Sequence, residues 1–434
     1  MEQSLIAAVS GIEANQTYLD VVGSNIANAN TTGYKSESAV FTDLLAEQVA
    51  GASAPLPAGQ GAGINPVAVG SGVRIGAVSN DQAQGTLQQT NQPTDVAIQG
   101  QGFFVAVAGG QQLYTRAGHL AIDANGDLST PTGGVIQGWE ASNQGVLDTN
   151  APTTAVTIPA GKVMQAQPTT ELTMGGNLPA WNGSGTPPVV TTSMNAYDSL
   201  GDTVPVTLTY TGVAGTADQW TVQGSVPIPS GGSTTLWTTP PTVAFSPTTG
   251  QVSSITGATT NANGSFSLPV STMPSGYPFP AGDVWNVNFP APGSAGAVTQ
   301  FAGQQTFEAV GQDGNASGTL ESFTIGNDGT VTGAFSNGRT EPIAQLAMAV
   351  FANPGGLADQ GNLLYAGTAN SGQATIGTPG TGGRGTLVGG SLEGSNVDLA
   401  SQLTDLIVAQ ESYQANTKVV TTTSQTLQAL MAIP

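Results

Sequence analysis

Helical periodicity in this chain is confined to its two ends, and nearly everything between them alternates with period two. A chain written this way predicts a helix at each end and strands in between. From Ser4 to about Asn28, steps of four and three pick out Leu5, Val9, Ile12, Gln16, Leu19, Gly23 and Ile26, a 3.5-residue seam with weak positions at Gln16 and Gly23. Asn28-Ala29-Asn30-Thr31-Thr32-Gly33 then supplies terminators and turn residues. From Val397 to about Ile433 the same stepping gives Leu399, Leu403, Leu406, Gln410, Tyr413, Thr417, Val420, Ser424, Leu427 and Met431. That is about 50 Å of helix at ~1.5 Å per residue. Ser395-Asn396-Val397-Asp398 offers its N-cap and an acid in its first turn.

The outer faces of these helices are unusual. From Val397 onward the charges are Asp398, Asp405, Glu411 and Lys418, and residues 4–30 carry Glu13 and Asp20. An exposed helix normally carries Lys and Glu on its solvent side. Two readings stay open: an intramolecular hairpin on the chain's own core, or helices packed among several neighbours.

Between the ends, Val189–Tyr197 and Thr203–Tyr210 flank the turn Asp198-Ser199-Leu200-Gly201, with Val204, Val206, Leu208 and Tyr210 on one face. Phe323-Thr324-Ile325, Asn327-Asp328-Gly329 and Val331 predict another hairpin. Ala46–Val69 and Gly372–Gly390 lack periodicity and read as linkers or extended segments. Residues 150–305 are richer in Thr, Pro and Gly than their flanks, which marks an inserted domain.

Composition removes whole classes of function. Seven Lys+Arg against 27 Asp+Glu leave a net charge of −20, which argues against nucleic acid or an anionic membrane as partner. There is no cysteine and a single histidine, His119, so disulfides, thiolate chemistry and Cys- or His-rich metal sites are excluded. No apolar run approaches the ~18 residues of a membrane span. Met1-Glu2-Gln3-Ser4 lacks a basic region. The expectation is therefore a cytoplasmic protein or one exported without a cleaved signal, and the acidic, Lys-poor composition leans to the latter.

Apparent sites are weak. Asp123-x-Asn125-x-Asp127 opens like an EF-hand loop but has Leu128 and Gly134 at the sixth and twelfth positions. Asp313-x-Asn315-x-Ser317-Gly318 has the glycine but ends on Thr324. Both read as turns. Gly100-Gln101-Gly102 precedes a strand rather than a helix and lacks a third glycine. His119 has no motif-bearing serine beside it, and no carboxylate pair is singled out for glycoside hydrolysis. No catalytic residue, cofactor or metal is expected.

The ends carry a resemblance. Asn25-Ile26-Ala27-Asn28, with Thr32-Gly33-Tyr34-Lys35, resembles the signature of the bacterial flagellar axial proteins: rod, hook and hook-associated subunits. So do Leu392-Glu393-Gly394-Ser395-Asn396-Val397-Asp398-Leu399 and Tyr413-Gln414-Ala415-Asn416. Asp95 to Phe104 and Tyr114-Thr115-Arg116-Ala117-Gly118 resemble the module shared by hook and rod proteins, with Leu120 where Phe is common. Phe351 to Leu357 and Tyr197 to Gly201 resemble hook segments.

The resemblance implies mainly β outer domains, barrel- or sandwich-like, with long terminal helices forming a coiled-coil-like inner domain. The divisions expected are 1–34 with 393–434 as the helical inner domain, 35–75 as an extended linker, 76–150 with 306–392 as a middle β domain, and 151–305 as an inserted outer β domain. It implies self-assembly into a short curved tube. The partners implied are rod and hook–filament junction proteins, a hook cap and the flagellar type III export machinery, with no nucleic acid and no membrane insertion. The location implied is the external flagellum. The interface residues expected are Leu5, Val9, Ile12, Leu19 and Ile26 in the first helix and Leu399, Leu403, Leu406, Tyr413, Val420 and Leu427 in the second. Asn28, Thr32, Gly33, Tyr34, Lys35, Ser395, Asn396, Val397 and Asp398 carry the family motifs. A distal rod protein, which would be a rigid shaft, and a secreted carbohydrate-active enzyme or adhesin are the competing readings. The insert favours a hook over a rod.

Overall fold

The two periodicities divide the fold as the residues dictate. In the computed structural model, which describes residues 2–52, 54, 63–142, 145–159, 161–274, 276–279 and 284–431, the two α-helices among the described residues are α1 (Glu2–Ala27) and α2 (Leu399–Met431). Ile433, the expected end of the second helix, lies outside the described residues. Among the described residues, the elements between them are strands apart from one short 3-10 turn at Pro354–Gly356.

The chain divides into two compact units. One comprises Gly161–Ser322 with Ala334–Thr340, and its elements among the described residues are all strands. Its central hairpin pairs Val189–Tyr197 with Thr203–Gly212 in the register Tyr197↔Thr203. Val204, Val206, Leu208 and Tyr210 are all buried on one face, as period-two alternation requires. The next strand, Gln219–Pro227, adds Trp220, Val222 and Val226. A second sheet contributes Leu172, Met174, Val287 and Phe289 to the same core. The turn at Asp198 closes because its Oδ1 accepts the amides of Leu200 and Asp202, both at 2.9 Å, and Gly201 adopts φ +87°.

The other unit holds both chain ends and a β core of Phe103, Val105, Tyr114, Trp139, Phe351 and Tyr365. Phe351 meets Tyr114 edge-on at 4.7 Å and Phe103 at 5.9 Å. The same unit's segment Phe323–Gly333 carries the expected hairpin, and Asp328 caps the turn through the Thr330 amide.

Two segments expected as linkers are more ordered than their composition suggests. Residues 35–75 are extended but not free: Glu37–Asp43 pairs with Val73–Asn80, and Ala46–Ala50 with Val67–Gly70. Positions 53 and 55–62 of that segment lie outside the described residues. In Gly372–Gly390, Thr375–Gly377 pairs with Met348–Val350, and Thr386–Gly389 with Val96–Gln99. Ladder bonds come from the backbone, so strands of three or four residues inside a glycine-rich stretch pair without a side-chain pattern long enough to announce them. At Gly385 a Cβ would lie 2.3 Å from the Gln99 carbonyl, so only glycine admits this approach.

Candidate assembly interface at the chain ends

Helices α1 and α2 pack antiparallel, with Asn25 beside Gln402 and Gly11 beside Asn416. The α1 positions turned inward are Ala8, Gly11, Ala14, Val21, Val22 and Asn25. Much of this face is the expected seam displaced by one residue, about 100° round the helix. Small residues sit here because the helices come close: a Cβ on Gly11 would meet the Asn416 amide nitrogen at 2.8 Å. The expected residues lie on the neighbouring face. Leu5, Ile12, Leu19 and Ile26 are half-buried and Val9 is 42% exposed.

On α2 the expected seam splits. Leu406, Tyr413 and Val420 are half-buried, in step with buried Ala409 and Thr423. Leu399, Leu403 and Leu427 are exposed, Leu403 to 50%. Ile6, Ile407 and Val408 add to this uncovered apolar surface. The inward faces are partly polar. Burial and the Asp405 carboxylate push the Tyr18 hydroxyl above its ordinary range. Asp398 caps α2 by accepting the Ala400 and Ser401 amides at 2.9 and 3.3 Å.

The motif residues build the junction where these helices meet the β core. Asn28 closes α1 through its side chain, donating to the Ser24 carbonyl at 3.0 Å and accepting from the Thr31 hydroxyl at 3.1 Å. Thr32 is half-buried, and Gly33 turns the chain at φ +76°. A Cβ at Gly33 would lie 2.9 Å from Ala117 Cα. Tyr34 donates to Asn25 Oδ1 at 3.2 Å, which also accepts the Glu37 amide at 2.8 Å. Asn25 Nδ2 donates to the Glu37 carbonyl at 2.7 Å and to Gln402 Oε1 at 3.0 Å. Asn396 accepts the Ser36 amide at 2.7 Å and donates to the Asp81 carbonyl at 2.9 Å. Ser395 Oγ accepts the Val397 amide.

At the centre lies a buried ionic cluster. Lys35 Nζ donates to Glu393 Oε1 at 2.8 Å and to the Ala83 carbonyl at 2.6 Å. Arg116 Nε stands 3.4 Å from Glu393 Oε2, an ion pair without hydrogen-bond geometry, and Arg116 Nη2 donates to the Gly100 carbonyl at 2.6 Å. All three side chains are at most 3% exposed. Burial and the Arg116 charge pull the Lys35 ammonium below its ordinary range, while Glu393 pulls the other way. Burial likewise lowers Arg116 against the opposing Glu393 carboxylate.

Asn25, Arg116 and Glu393 stand within the sequence motifs, but nothing local in the sequence assigns them these roles. Scarcity was the available signal: the chain has seven Lys+Arg, and two of them are buried here. The Asp123 opening is a turn, its carboxylate accepting the Asn125 and Asp127 amides, whereas the Asp313 opening, expected as a turn, joins distant segments: Asp313 accepts the Thr170 and Glu171 amides and Asn315 bridges Gln167. His119 Nδ1 lies 2.8 Å from Asp95 Oδ1.

Four family profiles match parts of the chain. They are described as flagella basal body rod protein over 5–35, flagellar hook protein FlgE/F/G D1 domain over 97–175, flagellar basal body protein FlaE D2 domain over 186–315, and flagellar basal body rod FlgEFG protein C-terminal over 388–433. Full-length relatives decide between them. The flagellar hook protein FlgE of Treponema pallidum (strain Nichols) is 36% identical, with all of both chains covered. That of Escherichia coli (strain K12) is 32% identical over 98% of each. The chain belongs to the flagellar hook protein family. A crystal structure of Helicobacter pylori flagellar hook protein FlgE2 shares the fold, with a TM-score of 0.50 at 15% identity, over 69% of this chain and 98% of that one. The rod descriptions attach to the two ends of this hook-family chain, and the FlaE D2 description falls on its β unit.

Proposed function

We propose that copies of this chain polymerise through their terminal helices into the flagellar hook, a curved tube that bends as it turns and carries torque from rod to filament. The observation that carries this reading is apolar surface on helices with few charges: Val9, Leu399, Leu403, Ile407 and Val408 are each at least 42% exposed. Leaving that much surface wet costs about 25 cal/mol per Å², which neighbouring copies recover by covering it. In this reading 1–34 with 393–434 form a coiled-coil-like inner layer, completed between copies. The segment 35–75 joins it to the middle domain, 76–150 with 306–392, and 151–305 form the outer domain. Rod and hook–filament junction proteins bound the two ends, and a hook cap and the type III export machinery deliver the subunits outside the cell without a cleaved signal. The role is mechanical, with no catalytic step, cofactor or metal. Among the described residues no helix is long and apolar enough to cross a membrane.

Negative-stain electron microscopy of the purified full chain tests the proposal. Curved tubes are expected. Straight rods would favour a rod subunit, and a chain that never polymerises would remove the reading.

A further inference from the structure

The two halves of α2 are built differently. Up to Asn416 the β-branched residues are Thr404, Ile407 and Val408; from Thr417 they are Thr417, Val419, Val420, Thr421, Thr422, Thr423 and Thr426. Such side chains lose χ1 freedom against the preceding turn, so the second half is the poorer helix former. Its hydroxyls also return to the backbone. Thr421 and Thr422 both donate to the Lys418 carbonyl at 2.9 Å, and Thr422 shares its proton with the Val419 carbonyl at 3.0 Å. Thr423 donates to the Val419 carbonyl and Thr426 to the Thr423 carbonyl, each at 2.8 Å. A carbonyl that accepts a hydroxyl as well as its helical amide divides its charge between them, and this back-bonding bends helices and weakens them slightly.

Packing does not compensate. Among the described side chains from Thr417 onward, Thr423 is buried, Val420 is half-buried and the others are exposed. The first half is held by Gln402, Leu406, Ala409, Tyr413 and Asn416 on its inward face and by the Asn25–Gln402 bond.

We propose that residues 417–426 form a yielding joint in α2. The segment bends and opens ahead of the rest of the helix, while the first half stays docked on α1. Its use, a place where the inner helix changes curvature as the tube bends, rests on the hook reading; its existence does not.

The test is hydrogen exchange along α2 in the full chain, as purified and in tubes. Wild type is compared with the double variant Thr421→Ala/Thr422→Ala and with Thr404→Ala. Amides of 418–426 should exchange roughly tenfold faster than those of 402–416, with a step near Thr417. The double variant should narrow that gap and straighten the tubes, whereas Thr404→Ala should change neither. Uniform exchange along α2, whether fast or slow, overturns the joint. So does a smooth rise toward Met431 without a step, which is plain end fraying, or a gap the double variant leaves intact. A stepped profile in a chain that forms no tubes keeps the joint and removes the hook reading instead.

Discussion

The β unit of Gly161–Ser322 and the paired terminal helices solve opposite problems. In the β unit the largest side chains point inward: Trp220 and Trp285 are fully buried, and the alternating face of Thr203–Gly212 leaves Val204, Val206, Leu208 and Tyr210 dry. In the helix pair the inward positions of α1 include Ala8, Gly11 and Ala14, while Leu403, Ile407 and Val408 of α2 face water. The β unit spends its apolar residues on its own stability. The helices leave much of theirs uncovered within the chain and are anchored by polar and ionic contacts around Asn25 and Glu393.

A mirrored pair of substitutions breaks this comparison most sharply. Glu393→Gln leaves Lys35 and Arg116 buried without their counter-charge, which should cost about 3–5 kcal/mol. Far-UV circular dichroism should report the loss in the helices, while tryptophan fluorescence, which comes mostly from the β unit, should hardly change. Trp220→Ala should cost a similar ~3–5 kcal/mol and reverse the pattern. If both signals move together in both variants, the two regions fold as one and the contrast fails.

A smaller effect sharpens the helix side. Gly11→Val forces a side chain against Asn416, and overpacking of this kind costs about 1–3 kcal/mol. Adding Asn416→Ala should recover much of that loss. No recovery would mean the helices do not approach at this point in solution.

The smallest effect belongs to the β unit. Burial alone would raise the Asp313 carboxyl, but the Thr170 hydroxyl at 2.5 Å and the amides of Thr170 and Glu171 hold it below the usual carboxylate range. A depressed folded value means that its contribution is complete above the unfolded value, near pH 4, and is lost as pH falls through the folded one. Asp313→Asn should flatten that acid limb of the fluorescence melting curve. An unchanged limb would show that the hydrogen bonds do not tune this group.

What was legible in the residues follows the same division. Strong alternation made the hairpin around Asp198 readable, because strand faces depend only on a period of two. Both helices were readable from their ends and seams. Which face of α1 turns inward was not: stepping through the largest side chains selects Leu5, Val9 and Ile12, whereas close helix approach selects Ala8 and Gly11, one position round. Side-chain size points to where apolar surface is, and not to what covers it. The ionic cluster was hidden for a different reason. Lys35 and Glu393 are separated by 358 positions, and no local pattern links residues that far apart. The strand Thr386–Gly389 escaped because its four residues, set in a glycine-rich stretch, are too few to show an alternation.

The central claim is that the exposed apolar face of α2 serves neighbouring copies and not the chain's own core. Leu406 lies on the half-buried side of the helix, so Leu403, half exposed, is the cleaner probe. Leu403→Asp should leave the thermal unfolding of the single chain within about 0.5 kcal/mol of wild type, as surface changes do. In a polymer the same carboxylate would be buried without a partner in every subunit. The decisive measurement is therefore tube formation by Leu403→Asp under conditions where wild type assembles, with single-chain melting as its control. The account predicts unchanged melting and no tubes. Normal tubes, or a single chain destabilised as much as a core variant, would contradict it.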